Sequence, residues 1–118
     1  RDNGHHTQFA FASAIRAAEV AWNQGVDLYT PHAARLSAAM ELLATQINTA
    51  NMQGTCPNNT VTASLFNTWE VGFNHYHYRK GKNLPQTEKL IKEKVRSKST
   101  SILNIFYETL THAEVGRK

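Results

Sequence analysis

The chain is poor in cysteine: Cys56 is the one cysteine among 118 residues. A single thiol excludes an internal disulfide and any cysteine-built metal centre. Long apolar runs are also missing. No stretch approaches the ~20 consecutive apolar residues that a membrane-spanning helix needs, so no membrane partner is expected. No charged and then apolar leader opens the chain. It begins abruptly on Arg1 and Asp2, an opening that reads as a cut in a longer protein. Alternating apolar and polar residues persist nowhere, although residues 61 to 66 have some β character. Phosphate loops, dinucleotide fingerprints, nucleophile elbows and a His-Glu-x-x-His pair are absent. Nucleic-acid motifs are absent too, so no nucleic-acid partner is expected. There is no low-complexity tract.

What is present is helical periodicity in a chain with 41% hydrophobic residues, enough to bury a core. Phe11, Ile15, Ala18 and Trp22 fall on one helix face, and Gly25 stops that helix. Thr30 and Pro31 read as the N-cap and first residue of the next, with Leu36, Met40, Leu43 and Ile47 as its stripe. Residues 50 to 60, holding Gly54, Pro57 and several Asn, read as a loop. Leu65, Trp69, Phe73 and Tyr76 continue at helical spacing as far as Gly81. Leu84 and Pro85 open a further helix carrying Leu90, Ile91 and Val95. After a weak break over residues 97 to 101, Ile102, Ile105, Phe106 and Leu110 form the last stripe. The expectation is an all-α fold of about five helices, two helix–turn–helix pairs in succession suggesting part of an α/α toroid.

The net charge of +4 and pI near 9.4 suit polyanionic partners such as nucleic acid, anionic lipid or an acidic polysaccharide, and equally suit a solvated surface. Most lysines lie between Lys80 and Lys98, alternating with Glu, and read as solvated surface. Arg1, Arg79 and the histidines carry more information. Arg1, His5 and His6 stand just before the first helix, where polar side chains also satisfy free N–H groups. Trp69 and Phe73 belong to an apolar stripe and default to the core, and Tyr76 shares that face with a hydroxyl that needs a partner. Asn74, His75 and Arg79 fall off the stripe, with His75 and Arg79 neighbours at i, i+4. His112 reads as a C-terminal cap or dipole partner. Adjacent or i, i+2 histidines point apart on a helix, so His5, His6, His75 and His77 make a poor metal site.

Arg, His, Asn and Tyr together suit proton abstraction beside a carboxylate. In a 4-linked uronic acid the C5 proton becomes acidic once its carboxylate is neutralised. Arg, Asn and His do that by charge and hydrogen bonding. A Tyr or His then takes the proton, and a phenol protonates the leaving O4. No metal or cofactor is needed. Asn58-Asn59-Thr60 is a glycosylation sequon, a triplet that chance also produces, and it leans toward a secreted protein.

The opening Arg1-Asp2-Asn3-Gly4-His5-His6-Thr7-Gln8 resembles the Arg-Asp-x-Gly-His-x-Gln entry of the alginate lyase family of polysaccharide lyases. It leads into Ala17-Ala18-Glu19-Val20-Ala21-Trp22-Asn23-Gln24-Gly25-Val26-Asp27-Leu28-Tyr29, similar to that family's helix end. Trp69-Glu70, Asn74-His75-Tyr76 and Arg79-Lys80-Gly81 resemble a further family segment, and residues 108 to 113 its usual ending. The resemblance spans essentially the whole chain. It implies that residues 1–118 are the C-terminal portion of an incomplete α/α-toroid domain that cleaves alginate- or glucuronan-type polymers by β-elimination. It also implies a secreted or periplasmic location. The family's Asn-Asn-His element lies upstream of this chain. Arg1 matches the family's arginine near the active site, and His5 or His6 its histidine. Thr7 and Gln8 stand where related lyases place a catalytic tyrosine, and Phe73 where the family often has Tyr.

The expected catalytic residues are therefore Arg1, His5, His6 and Tyr76. Trp69, Asn74, His75 and Arg79 are expected to bind substrate, with Trp69 stacking on a sugar ring and Arg1 and Arg79 pairing with carboxylates. The alternative is a toroid that binds acidic glycans without cleaving them. A cut toroid exposes apolar faces, so Phe9, Phe11, Ile15 and Trp22 are expected to stand partly uncovered and the isolated chain to be unstable or self-associating, and inactive.

Overall fold

Apolar residues recurring every three or four positions draw the chain into helices, and the computed structural model describes residues 4–56, 58–61, 65–66, 68–96 and 111–112. Helix α1 spans His5–Asn23, and after a 3₁₀ turn at Thr30–His32 helix α2 spans Ala33–Thr49. Helix α3 spans Thr68–Phe73 and widens into a π-helical turn over Asn74–Arg79. Helix α4 spans Pro85–Leu90 and widens likewise over Ile91–Val95. The fold is all-α, with no strand among the described residues and one isolated bridge between Asn51 and Thr60. Arg1 and the expected last helix with Ile102, Ile105, Phe106 and Leu110 lie outside the described residues.

The helix ends follow local chemistry. After α1, Gly25 takes a left-handed φ of 81°. Its N–H then donates to Trp22 O at 3.0 Å and that of Val26 to Ala21 O at 2.9 Å, the two bonds of a Schellman ending. The start of α2 differs from expectation. Thr30 does not cap it; the Asp27 carboxylate accepts from the Thr30 N–H at 2.9 Å and its hydroxyl at 2.7 Å, fixing the 3₁₀ turn that carries Pro31. At α4, Leu84 has no side chain to cap with and Pro85 has no N–H to cap. Glu41 of α2 accepts from Gln86 N at 3.1 Å and Thr87 N at 2.9 Å instead, so one helix caps another. Lys94 returns the arrangement by donating to Ile47 O at 2.9 Å near the end of α2, and Lys82 donates to Ser37 Oγ at 2.6 Å. Two lysines of the segment read as solvated surface are thus bonded to α2. Lys92, exposed and paired with Glu88, does behave as surface.

Packing places α3 at the centre. Helix α1 lies against α2 and α3, and α4 lies against α2 and α3. Every residue from Thr68 to Tyr76 is buried, so this stretch has no outward face. Gly72 permits the close approach: a Cβ there would stand 3.1 Å from Ile15 Cδ1 and 3.2 Å from the Met40 thioether. Phe11 and Ile15 are covered by the chain itself, contrary to the expected open face, and Phe9 and Trp22 are half-buried. Among the described residues the exposed large apolar side chains are Val20, Val26, Leu28 and Leu42.

Helix α2 ends with Ala50 in the left-handed region at φ 54°. A Cβ there costs roughly 1–2 kcal/mol, and glycine recovers that at a cost of about 0.5–1 kcal/mol in chain entropy. Ala50→Gly is therefore expected to stabilise the fold by about 0.5–1 kcal/mol in urea unfolding, and a destabilised variant would show that the ending is unstrained. Gly72→Leu forces α1 and α2 off α3 and is expected to cost about 1–3 kcal/mol in the same assay.

Candidate functional site

The histidine-rich segment folds into the wide turn after α3. Lys80 N reaches back to His75 O at 3.1 Å, a span of five residues rather than four, and this extra width alters which side chains share a face. Arg79 then reaches α1. Its two terminal nitrogens hold both oxygens of Glu19 at 3.0 and 3.1 Å, with both side chains almost wholly buried. The Tyr29 hydroxyl donates to the same carboxylate at 2.8 Å, and His112 Nε2 approaches it at 3.5 Å. Burial raises the Glu19 pKa, but hydrogen bonds from His112, Arg79 and Tyr29 together with the Arg79 charge outweigh it and hold the carboxyl at about 2. Tyr29 is pushed well above the usual phenol range by burial and the Glu19 charge.

His75 lies flat on Tyr29, with ring centroids 3.7 Å apart, and its edge meets Trp22 at 4.9 Å. Burial, then the charges of Arg79 and Lys80, lowers its pKa to about 4, so the ring is neutral at pH 7. Nδ1 sits 3.4 Å from Arg79 Nη1, and Nε2 has no hydrogen-bond partner among the described residues. Asn74 donates to His112 O at 2.7 Å. The Tyr76 hydroxyl donates to Tyr29 O at 3.3 Å, and burial pushes that phenol up to about 12. Trp22 closes the outer side, with the Arg79 guanidinium 5.6 Å and the Lys80 ammonium 5.4 Å from its ring centre.

The expected site residues fall into two places. Asn74, His75, Tyr76 and Arg79 gather around Glu19 and Tyr29. His5 and His6 stand at the other end of α1, about 21 Å from Glu19 along the helix. There His5 is half-buried and His6 exposed, their rings edging Phe9 at 5.0 and 5.9 Å, while Phe66 lies 5.8 Å from His5. Trp69 is fully enclosed, its indole N–H donating to Gln8 Oε1 at 3.2 Å and its ring 4.8 Å from Phe11. Stacking of a sugar on Trp69 is thus corrected to core packing. Carboxylate pairing by Arg79 is corrected likewise, because Glu19 already occupies its guanidinium fork.

Glu19, Tyr29 and Trp22 were not among the expected site residues. A signal existed for Glu19: it lies four residues beyond Ile15 on the stripe that enters the core, where a carboxylate requires a cation. The helix that His112 is read as capping lies outside the described residues; the His112 carbonyl accepts from Asn74 and its ring approaches Glu19. Among the described residues no three His, Cys, Asp or Glu side chains converge to hold a metal ion.

At His75 and at Glu19 the unfolded chain binds more protons than the folded one, so stability falls as pH falls. The His75 part is lost between 6.5 and about 4, as the unfolded imidazole gains a proton that the folded ring refuses. The Glu19 part is lost between 4.5 and about 2. His75 alone is expected to contribute on the order of 3 kcal/mol across its window, and His75→Gln should flatten the upper part of a stability–pH curve. An unchanged slope would refute the buried neutral imidazole. Glu19→Ala strands Arg79 and is expected to cost about 3–5 kcal/mol, read by thermal unfolding.

No protein-family model, curated protein or solved structure matches this chain.

Proposed function

We propose that the chain is part of an α/α-toroid polysaccharide lyase domain that cleaves 4-linked uronic-acid polymers of the alginate or glucuronan type by β-elimination. An acidic polysaccharide is its substrate, an upstream portion of the same domain completes its site, and it works in a secreted or periplasmic setting. No cofactor enters the reaction. The observation that carries this reading is the start of α1. Gly4 brings no side chain to cap it, the first turn holds no acidic residue, and His5 and His6 stand there beside the rings of Phe9 and Phe66. Helix N–H groups and imidazoles favour a carboxylate, and an aromatic floor favours a sugar ring. Arg1 belongs to the same end of the sequence.

In this reading the uronate carboxylate rests at the start of α1, and helix N–H groups, Arg1 and one imidazole take up the charge that builds as the C5 proton leaves. The other imidazole accepts the proton. Asn74, His75, Tyr76 and Arg79 act at a distance by fixing the opposite end of α1 on α3.

The second reading, an acidic-glycan-binding domain without cleavage, is favoured by Gln8. Its amide oxygen is held by Trp69 in the core where a catalytic tyrosine is expected. Tyr29 and Tyr76 are both engaged in internal bonds.

The two readings separate on incubation of the full-length protein with alginate and with glucuronan, following ultraviolet absorbance of the unsaturated product. Cleavage is expected, falling about 100-fold or more in His5→Gln or His6→Gln and unaltered in the surface variant Lys92→Ala. Gel retardation by either polymer without product selects the binding reading, and neither binding nor product rejects both.

A further inference from the structure

The loop between α2 and α3 has features that the uronate reading does not use. It is pinned at its neck: Val61 N donates to Ala50 O at 3.2 Å and Met52 N to Asn59 O at 2.8 Å, around the Asn51–Thr60 bridge. Inside the neck, Thr55 and Cys56 N–H groups both donate to Met52 O. Asn58, Asn59 and Thr60 are all exposed. The same loop walls a hollow of about 290 Å³ lined by Leu42, Leu43, Gln46, Met52 and Cys56, beside the exposed thiol of Cys56 and the side chain of Leu42, 41% exposed.

We propose that Asn58 is an N-glycosylation acceptor and that its glycan covers this hollow and the Cys56 thiol. The triplet Asn58-Asn59-Thr60 has the required hydroxyl two positions on and no proline between. The structure adds that the acceptor amide faces solvent, on a loop closed at its base by backbone bonds that involve neither the Asn58 nor the Thr60 side chain. The Asn58 side chain is exposed, so a bulky substituent there extends into solvent. In the reaction the Asn58 amide nitrogen loses a proton and forms a bond to the anomeric carbon of an oligosaccharide carried on a lipid pyrophosphate, which leaves as the free lipid pyrophosphate. An exported protein with an unpaired surface cysteine is open to intermolecular disulfide formation. A glycan two residues away shields that thiol and an apolar surface together.

The test is expression of the full-length protein in a eukaryotic host, once with its own targeting sequence and once with an appended secretory leader. With the appended leader, the secreted protein is expected to lose mass on endoglycosidase treatment. Asn58→Gln and Thr60→Ala should abolish that loss and Thr60→Ser should keep it, all with unchanged helical circular dichroism. Maleimide labelling of Cys56 should speed up several-fold after deglycosylation. Folded, secreted protein with no glycan, or a glycan that persists in Asn58→Gln, overturns the acceptor assignment. An unchanged labelling rate overturns the covering role. A glycan present only with the appended leader keeps the acceptor and rejects the secreted location.

Discussion

An arginine taken out of water must find a carboxylate, and most of this structure is arranged so that Arg79 finds Glu19. Removing both ions from solvent costs several kcal/mol each by general estimates. The attraction offsets that cost only when the fork geometry is right and the remaining lone pairs are filled. Both conditions are met from distant parts of the chain. The wide turn after α3 delivers the guanidinium, and the loop after α1 delivers the Tyr29 hydroxyl. That loop holds its course through the Schellman ending at Gly25 and the Asp27–Thr30 bonds. Of the six residues that connect α1 to the 3₁₀ turn, Gln24 to Tyr29, Tyr29 is the one that enters the core.

Much of the helical skeleton is legible in the residues. The stripes Phe11–Ile15–Ala18 and Met40–Leu43–Ile47 enter the core as their spacing requires, and Gly25, Gly81 and Pro85 mark real boundaries. What is illegible has physical reasons. Periodicity assumes that a helix has one buried face, and α3 is buried all round, so Asn74 and His75 looked like surface while lying inside. The cap of α4 comes from Glu41, forty-four residues before Pro85 in the chain, and no local pattern announces it. Polar residue types in a cluster read as ligand-facing; here Arg79 and Tyr29 answer Glu19, and Tyr76 answers the Tyr29 carbonyl instead.

The two ends of α1 consequently differ in character. At the Glu19 end the charges are matched and the aromatics Trp22, Tyr29 and His75 seal them from water. At the other end His5 is half-buried and His6 exposed, and the first turn of the helix holds no acidic residue. A helix packed firmly at one end holds its other end steady, since the position of the tip is set by packing at the base.

The wide turn at Asn74–Arg79 has a further meaning. A π turn holds one residue more than the regular helix would, so it behaves as an insertion that the fold has absorbed. Each residue rotates an ordinary helix by about 100°. Losing one residue from this turn would leave the helix intact but swing Arg79 a quarter-turn or more away from Glu19. In reading frames across relatives of this chain, a one-residue gap in this segment would therefore mark a protein in which the clasp between α1 and α3 has been replaced, not merely shortened.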